Sequence, residues 1–191
     1  MPSFKVAVIV GSLRRGSFTR RLAIALTRLA PATLSFETVE IGDLALYDQD
    51  FDSDGAPPAA WTAFRQKVAA TDAVLFLTPE YNRSVPGVLK NALDVGSRPY
   101  GKSVWNAKPA AVVSCSPGAM GGFGANHHLR QSLVFLNMPV LQQPEAYVGH
   151  VGELVADDFS ITNPGSKTFL QGLMTAFAAW IAATAPAGAK T

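Results

Sequence analysis

The sequence predicts an α/β fold in which five parallel strands form one sheet with helices on both faces. Short apolar runs alternate along the chain with longer amphipathic segments, which is typical of a parallel sheet with helical crossovers. The runs are continuous stretches of Val, Ile, Leu and Phe, which indicates strands buried on both faces. Five such strands suit the flavodoxin-like, doubly wound order 2-1-3-4-5.

Five apolar runs give the predicted strands. They are residues 5–10, 34–41, 73–78, 110–114 and a weaker run at 146–151. The predicted helices have apolar residues at spacings of three and four. They are residues 18–29, 59–69, 88–95, 125–136 and 167–183. Because no repeat, low-complexity tract or linker divides the chain, residues 1–191 are predicted to form a single domain.

The composition indicates a globular chain without a special electrostatic partner. The 191 residues are 48% hydrophobic and 16% charged, and a net charge of +2 is too small to argue for nucleic acid. One cysteine, Cys115, excludes an internal disulfide framework and is compatible with a reducing compartment. The N-terminus has no signal-peptide pattern, so a cytoplasmic location is expected.

The segment 168–189 is uncharged and has the length of a bilayer span. Ala and Thr dominate its composition, however, and its large apolar residues recur at helical spacing. Those residues are Phe169, Leu173, Phe177, Trp180 and Ile181. A buried helix is therefore favoured, and no membrane span is predicted.

The architecture indicates where a ligand binds, because ligands of open parallel sheets lie beyond the carboxyl ends of the strands at the switch point. The loops that follow the first, third and fourth strands are residues 11–17, 79–87 and 116–124. All three are rich in Gly, Pro, Ser or Asn. The sequence therefore predicts a binding site formed by these loops.

The first loop resembles a phosphate-binding loop without its lysine. Its glycines have P-loop spacing, but Ser17 stands where the lysine belongs, which argues against a Mg-bound triphosphate. The hydroxyls of Ser12, Ser17 and Thr19, with Arg14 and a helix N-terminus, suit a phosphomonoester instead. The alternative is a helix capped by Ser17 with solvated arginines, and the loop alone leaves both interpretations open.

Two arginines follow in the first turn of the predicted helix. Arg20 and Arg21 have the wrong sign for the positive end of the helix dipole. A bound phosphate would offset that cost, so the arginines are a further indication of an anion site.

The second and third loops offer groups that suit a flat heteroaromatic ligand. Tyr81 supplies an aromatic face, and the Asn82 amide can both donate to and accept from a ring edge; the alternative is an ordinary surface turn. The third loop has glycines at 118, 121, 122 and 124, which allow backbone N–H groups to approach a ring closely. Cys115 precedes this loop on an apolar strand, which favours a buried, inert thiol over a nucleophile.

These motifs together resemble one family. Three segments are similar to the NAD(P)H-dependent FMN reductases, and in particular to their bacterial quinone and chromate reductase branch. They are GSLRxxSF at 11–18, PEYNRSVPGVLKNALD at 79–94, and Ser-Pro-Gly at 116–118 followed by Gly-Gly at 121–122. The resemblance covers most of the chain. It implies a flavodoxin-like fold, noncovalent FMN, and NADPH or NADH as co-substrate.

The resemblance also implies site residues, which are expected to contact three parts of the ligands. The FMN phosphate is expected on the side chains of Ser12, Arg14 and Ser17 and on the N–H groups of Phe18 and Thr19. The isoalloxazine ring is expected against Pro79, Glu80, Tyr81, Asn82, Ser116 and Gly118. Arg83 and Ser84 are weaker candidates for contacting the second substrate. No catalytic side chain is expected, because hydride transfer takes place at the flavin.

The implied activity is the passage of two electrons from NAD(P)H, through FMN, to quinones, azo compounds, free flavin or chromate. A flavodoxin-type electron carrier and a flavin-free nucleotide-binding regulatory domain are the alternatives; a carrier usually has an acidic docking surface, which this slightly basic chain lacks. The family resemblance further implies a homodimer or homotetramer. Tyr100, Trp105 and Phe123 are candidate aromatic residues of the subunit interface.

Two motifs suggest metal sites but fit them poorly. Residues 50–55 begin like a calcium loop, yet Trp61 stands where the glutamate is required, so an exposed acidic turn is the better prediction. His127 and His128 are adjacent and cannot share one face of a helix as ligands. No metal is predicted, and solvent-facing side chains are expected for both histidines.

Overall fold

The computed structural model describes residues 3–186, and its sheet confirms the predicted topology. All neighbouring strands are parallel, and their order is β2-β1-β3-β4-β5. The strands are β1 (Phe4–Val10), β2 (Leu34–Thr38), β3 (Ala73–Thr78), β4 (Ala110–Cys115) and β5 (Ala146–Val148). The central register pairs Val8 with Leu75 and Ile9 with Phe76, so β1 and β3 end side by side.

The helices include all those predicted and two short ones that were not. The predicted helices are α1 (Phe18–Leu29), α3 (Ala59–Ala69), α4 (Gly87–Gly96), α5 (Phe123–Phe135) and α7 (Pro164–Thr184). The additional ones are α2 (Gln49–Ser53) and α6 (Val151–Leu154). Helix α7 begins earlier than predicted because Asn163 caps it by accepting a hydrogen bond from the Ser166 N–H, at 2.9 Å.

Alternate residues of the central strands face two separate apolar layers. Val6 and Val8 of β1 pack in the layer formed with α1, α6 and α7. Ala7 and Ile9 pack in the layer formed with α3, α4 and α5. Every residue of β3 and β4 is buried, which confirms that these two strands are covered on both faces. Strand β2 lies at the edge of the sheet, ends at Thr38 and not at residue 41 as predicted, and is fully buried only at Leu34.

Residues 168–184 of the uncharged C-terminal segment lie in α7, as favoured, but the helix is buried along one face only and Phe169 is 43% exposed. Leu173, Phe177 and Ile181 of α7 are at most 1% exposed and belong to the first layer. Among the helices that residues 3–186 form, none has the length and apolarity needed to cross a bilayer.

Strand β5 is shorter than predicted, because the chain turns sharply after Val148. His150 has a φ of +48°, which is incompatible with a strand. A Cβ at Gly149 would lie 2.6 Å from the Ala119 carbonyl oxygen, so the third loop packs directly against this turn. Helix α6 therefore starts at Val151, at the same edge as the predicted site.

Two predictions about surface residues are corrected by packing. Trp105 is fully buried and so cannot lie at a subunit interface; its indole N–H donates to the Leu93 carbonyl, and its ring fills the space beside Gly96.

The acidic segment 50–55 is not a simple exposed turn. It forms most of α2, and the carboxylate of Asp52 is 6% exposed beside Arg65.

Candidate active site

A cleft of about 110 Å³ lies where β1, β3 and β4 end. Its walls come from the three predicted loops, from the start of α1 and from α6. The lining residues are Ser12, Arg14, Ser17, Phe18, Thr19, Pro79, Glu80, Tyr81, Cys115, Ser116, Pro117 and Val151. The structure thus brings together every predicted FMN-contacting residue except Asn82 and Gly118.

The phosphate-binding part of the cleft is built on the N-terminus of α1. Ser17 caps this helix by accepting a hydrogen bond from the Arg20 N–H at 3.1 Å. The N–H groups of Phe18 and Thr19 belong to the first turn, where no intrahelical acceptor exists. Ser12 is 4% exposed in the same wall. Capping by Ser17 therefore occurs and still leaves backbone donors for an anion.

Arg14 supplies a cation beside this helix terminus. Its guanidinium donates to the Gly16 carbonyl at 3.2 Å and lies 5.7 Å from the centre of the Phe18 ring. The side chain has no carboxylate partner within residues 3–186. Arg14 is therefore free to pair with a phosphate bound at the start of α1.

Arg20 and Arg21 do not act as predicted. Arg20 forms a bidentate ion pair with Glu40, with nitrogen–oxygen distances of 2.7 and 2.8 Å. These hydrogen bonds raise the pKa of Arg20 and lower the pKa of Glu40. Arg21 pairs with Asp157 at 2.9 Å. Because protein carboxylates balance these two charges, the arginines give no separate indication of an anion site.

The second loop forms a tight hairpin that carries Tyr81. The Tyr81 and Ser84 backbones exchange two hydrogen bonds of 2.9 and 3.0 Å. Asn82 and Arg83 form the turn, with φ values of +50° and +65°. This geometry places Tyr81 in the cleft wall and Asn82 at the turn, outside the lining. The ring contact expected from Asn82 remains a prediction.

The third loop approaches the cleft through Ser116 and Pro117. The Ser116 hydroxyl donates to the Gly118 carbonyl at 2.9 Å, and the Ser116 N–H donates to the Val148 carbonyl at 3.0 Å. Gly121 has a φ of +59°, and a Cβ there would lie 2.4 Å from the Tyr147 carbonyl carbon. The glycines thus let the loop pack closely on β5, and Gly118 lies outside the cleft lining.

Cys115, Pro117 and Val151 line the cleft without having been predicted as contact residues. The position of Cys115 at the carboxyl end of β4 is the signal that could have identified it. Its thiol is 2% exposed and lies 3.4 Å from the Thr19 hydroxyl oxygen. Burial raises the pKa of Cys115 to about 11, so the thiol stays protonated near neutral pH, as predicted for an inert cysteine.

The adjacent histidines contact different neighbours, although both are exposed as expected. His128 Nδ1 lies 3.0 Å from the Ser84 hydroxyl, at the end of the Tyr81 hairpin. His127 Nε2 lies 3.1 Å from the Tyr147 hydroxyl, and its ring packs 4.3 Å from that of Phe123. In the part of the chain from 3 to 186, no three His, Cys, Asp or Glu side chains are grouped to hold a metal ion.

The fold and the site define a class of protein. Three features meet at the switch point of the 2-1-3-4-5 sheet: the N-terminus of α1, which suits an anion, the hairpin that carries Tyr81, and the glycine-rich third loop. This combination is typical of flavodoxin-like FMN proteins. The switch point of that sheet is where such proteins hold their FMN.

Comparison with known proteins identifies the family. The family model for NADPH-dependent FMN reductase matches residues 4–153. A quinone reductase of Pseudomonas putida is 58% identical over 178 residues, which cover 93% of this chain and 95% of that protein. A 2-hydroxy-1,4-benzoquinone reductase of a Burkholderia species is 48% identical over 179 residues, covering 94% and 97%.

A solved structure supports the same relationship. The flavoenzyme NAD(P)H:(acceptor) oxidoreductase FerB of Paracoccus denitrificans superimposes with a TM-score of 0.90 at 41% identity, covering 95% of this chain and 99% of that one. The chain therefore belongs to the NADPH-dependent FMN reductase family. This confirms the predicted family, the flavodoxin-like fold, and an oxidoreductase that uses FMN and NAD(P)H.

Proposed function

We propose that the protein is a quinone reductase that passes two electrons from NADPH or NADH, through FMN, to a quinone, with residues 1–191 acting as one FMN-binding domain. The observation that carries the proposal is the cleft, which joins an anion-binding helix start to the wall formed by Tyr81 and Ser116. The names of the two relatives that are 58% and 48% identical support a quinone as the acceptor.

The residues of the cleft fit FMN. Ser12, Arg14 and the N–H groups at the start of α1 would hold the phosphate, because hydroxyls, a guanidinium and free amides are its usual partners. The enclosed volume of about 110 Å³ is well below that of a complete cofactor pocket, roughly 300 Å³ or more. The cleft therefore suits the phosphate end of FMN, with the ring along its mouth beside Tyr81 and Ser116.

When bound, FMN supplies the redox chemistry by accepting a hydride and returning two electrons. The chain binds and orients the cofactor and leaves one side of the site open to successive substrates. Tyr81 is 48% exposed at that side, and the Arg83 side chain is 78% exposed next to it. A cation at this position would stabilise negative charge that develops on a quinone oxygen. Free flavin, azo compounds and chromate are further candidate acceptors for the same open site.

A spectroscopic experiment in two steps tests the proposal. The protein is purified, supplied with FMN and separated from free cofactor; a colourless product contradicts FMN binding. The flavoprotein is then mixed anaerobically with NADPH or NADH and afterwards with a benzoquinone. We expect the flavin absorbance to bleach with the nicotinamide and to return with the quinone. Flavin that is bound but does not bleach would support the flavodoxin-type carrier instead.

The proposal includes a homodimer or homotetramer in the cytoplasm. Helices α4 and α5 border two surface grooves, of about 470 and 550 Å³, that share no lining residue with the cleft. Phe135 and Tyr100 line these grooves and are each 91% exposed. Large apolar side chains concentrated on one face favour contact with a second subunit. This face, and not Trp105, is the proposed interface.

A further inference from the structure

The carboxylate of Glu80, a residue of the cleft lining, contacts helix α5. Its Oε2 accepts a hydrogen bond from the Ala125 N–H at 3.0 Å, and its Oε1 lies 3.5 Å from a guanidinium nitrogen of Arg83. The side chain is only 14% exposed. Because Glu80 and Ala125 are 45 residues apart, this contact joins the second loop to the helix that follows the third.

Helix α5 needs this carboxylate because it has no cap of its own. Gly122 occupies the N-cap position without a side chain, and the first turn contains no acidic residue. The N–H groups of a first turn have no intrahelical acceptor and carry a partial positive charge. Glu80 therefore supplies, from a distant loop, the acceptor that a local Ser, Thr or Asp usually provides.

The hairpin and the helix also touch at two further points. A Cβ at Gly124 would lie 3.0 Å from both the Glu80 carboxylate and the Arg83 carbonyl oxygen, so the two segments are in direct contact there. The Ser84 hydroxyl lies 3.0 Å from His128 Nδ1, one helical turn further along α5. Both ends of the hairpin are thus held against the same face of α5.

We infer that Glu80 is a positioning residue that fixes Tyr81 at the mouth of the cleft. Tyr81 directly follows Glu80 and is paired with Ser84 through backbone hydrogen bonds of 2.9 and 3.0 Å. Anchoring Glu80 to α5 therefore sets where the Tyr81 ring lies. The inference rests on the proposed function, in which FMN lies beside Tyr81, and it gives the Glu80 carboxylate a role in addition to the contact with the ring expected from Glu80.

Two conservative substitutions separate this role from a direct effect of charge on the flavin. Glu80→Gln keeps an oxygen that can accept from the Ala125 N–H but removes the charge. Glu80→Asp keeps the charge, while the shorter side chain withdraws the oxygen from Ala125. We expect Glu80→Asp to raise the dissociation constant for FMN about tenfold and Glu80→Gln to change it by less than about threefold. The constant is measured by FMN fluorescence quenching on titration of the apoprotein.

Exposed Glu153 serves as the matched control, because it lies in α6 near the same edge of the sheet and outside the cleft lining. Glu153→Asp and Glu153→Gln are expected to bind FMN as the wild type does. The opposite order at position 80, with Gln weakening FMN binding and Asp leaving it unchanged, would overturn the inference. So would a lowered melting temperature of Glu80→Asp with an unchanged dissociation constant, since that result indicates only a structural cap.

A double-mutant cycle tests whether Glu80 acts through Tyr81. We expect the effect of Glu80→Asp to shrink to less than about threefold in a Tyr81→Ala background, because the anchored ring is then missing. A full tenfold effect in that background contradicts the inference. A wild-type protein that does not bind FMN would instead refute the proposed function, so the two failures are distinguishable.

Discussion

The guanidinium of Arg65 forms a bidentate ion pair with the carboxylate of Asp52, with nitrogen–oxygen distances of 2.7 and 2.8 Å. The two side chains are only 12% and 6% exposed. Arg65 also donates to the Val95 carbonyl at 2.9 Å, and its guanidinium lies 5.5 Å from the centre of the Trp61 ring. The pair thus fastens α2 to α3 and to the end of α4.

Removing one partner of this pair should destabilise the protein strongly. Asp52→Asn leaves the Arg65 charge largely buried with a weaker acceptor, and we expect the free energy of unfolding to fall by about 2–4 kcal/mol. Asp94, which pairs with Lys90 at 2.8 Å on the surface of α4, is the control. Asp94→Asn should cost less than about 0.5 kcal/mol. Urea denaturation at one fixed FMN concentration measures both, and equal losses would contradict the prediction.

The fold and most of the cleft could be predicted because their signals are local in the sequence. Apolar runs identify β1, β3 and β4, and the chain order of strands and helices limits the topology to very few arrangements. The loop residues then meet because the carboxyl ends of neighbouring parallel strands lie at one edge. Residues as distant as Ser17, Tyr81 and Ser116 could be grouped for that reason alone.

The partners of individual charges could not be predicted in the same way. Arg20 meets Glu40, and Glu80 meets the N-terminus of α5, through contacts between loops that have no spacing rule in the sequence. The burial of Trp105, a candidate interface residue, could not be predicted either, because an aromatic residue in a loop carries no periodic sign of burial. Its burial depends on the space that Gly96, nine residues earlier, leaves for the indole.

A Cβ at Gly121 should disrupt the third loop. Gly121 has a φ of +59°, and the added carbon would lie 2.4 Å from the Tyr147 carbonyl carbon, which belongs to the backbone of β5. Gly121→Ala is expected to lower the free energy of unfolding by at least about 2 kcal/mol.

Gly172 provides the contrasting glycine for that experiment. It lies on the exposed side of α7 with nothing within 4 Å of an added Cβ. Gly172→Ala should stabilise the protein by about 0.5–1 kcal/mol, because alanine favours a helix. Thermal and urea unfolding of both variants check the opposite signs, and a tolerated Gly121→Ala would show that the loop can move away from β5.

Cys115 should make the protein less stable at alkaline pH. Burial raises the pKa of its thiol from 9.0 to about 11, so the folded state holds the proton more tightly than the unfolded state does. The associated stability is complete below pH 9 and is lost as the pH rises toward 11. Between about pH 8 and about pH 10.5, the wild type should lose about 2 kcal/mol more than Cys115→Ala. Parallel pH profiles of the unfolding free energy would contradict this assignment.

Arg14 should contribute to FMN affinity, and Arg15 should not. Arg14 lines the cleft, whereas Arg15 lines a separate cavity on the outer side of the loop. Arg14→Met is expected to raise the FMN dissociation constant about 10- to 100-fold, the usual effect of losing a charge-assisted hydrogen bond to phosphate. Arg15→Met should change it by less than about threefold. Equal losses in fluorescence titrations would indicate a diffuse effect of positive charge instead.

Phe135 should hold subunits together through the α4–α5 face. A glutamate there places charge in the proposed apolar contact, and in a symmetric dimer both copies carry the substitution. We expect Phe135→Glu to weaken association at least about tenfold without loss of folded structure, because the side chain is 91% exposed in the single chain. Leu46, which is 80% exposed in the loop after β2, is the control. Sedimentation velocity should detect dissociation for Phe135→Glu and not for Leu46→Glu, and an unchanged assembly in both would place the interface elsewhere.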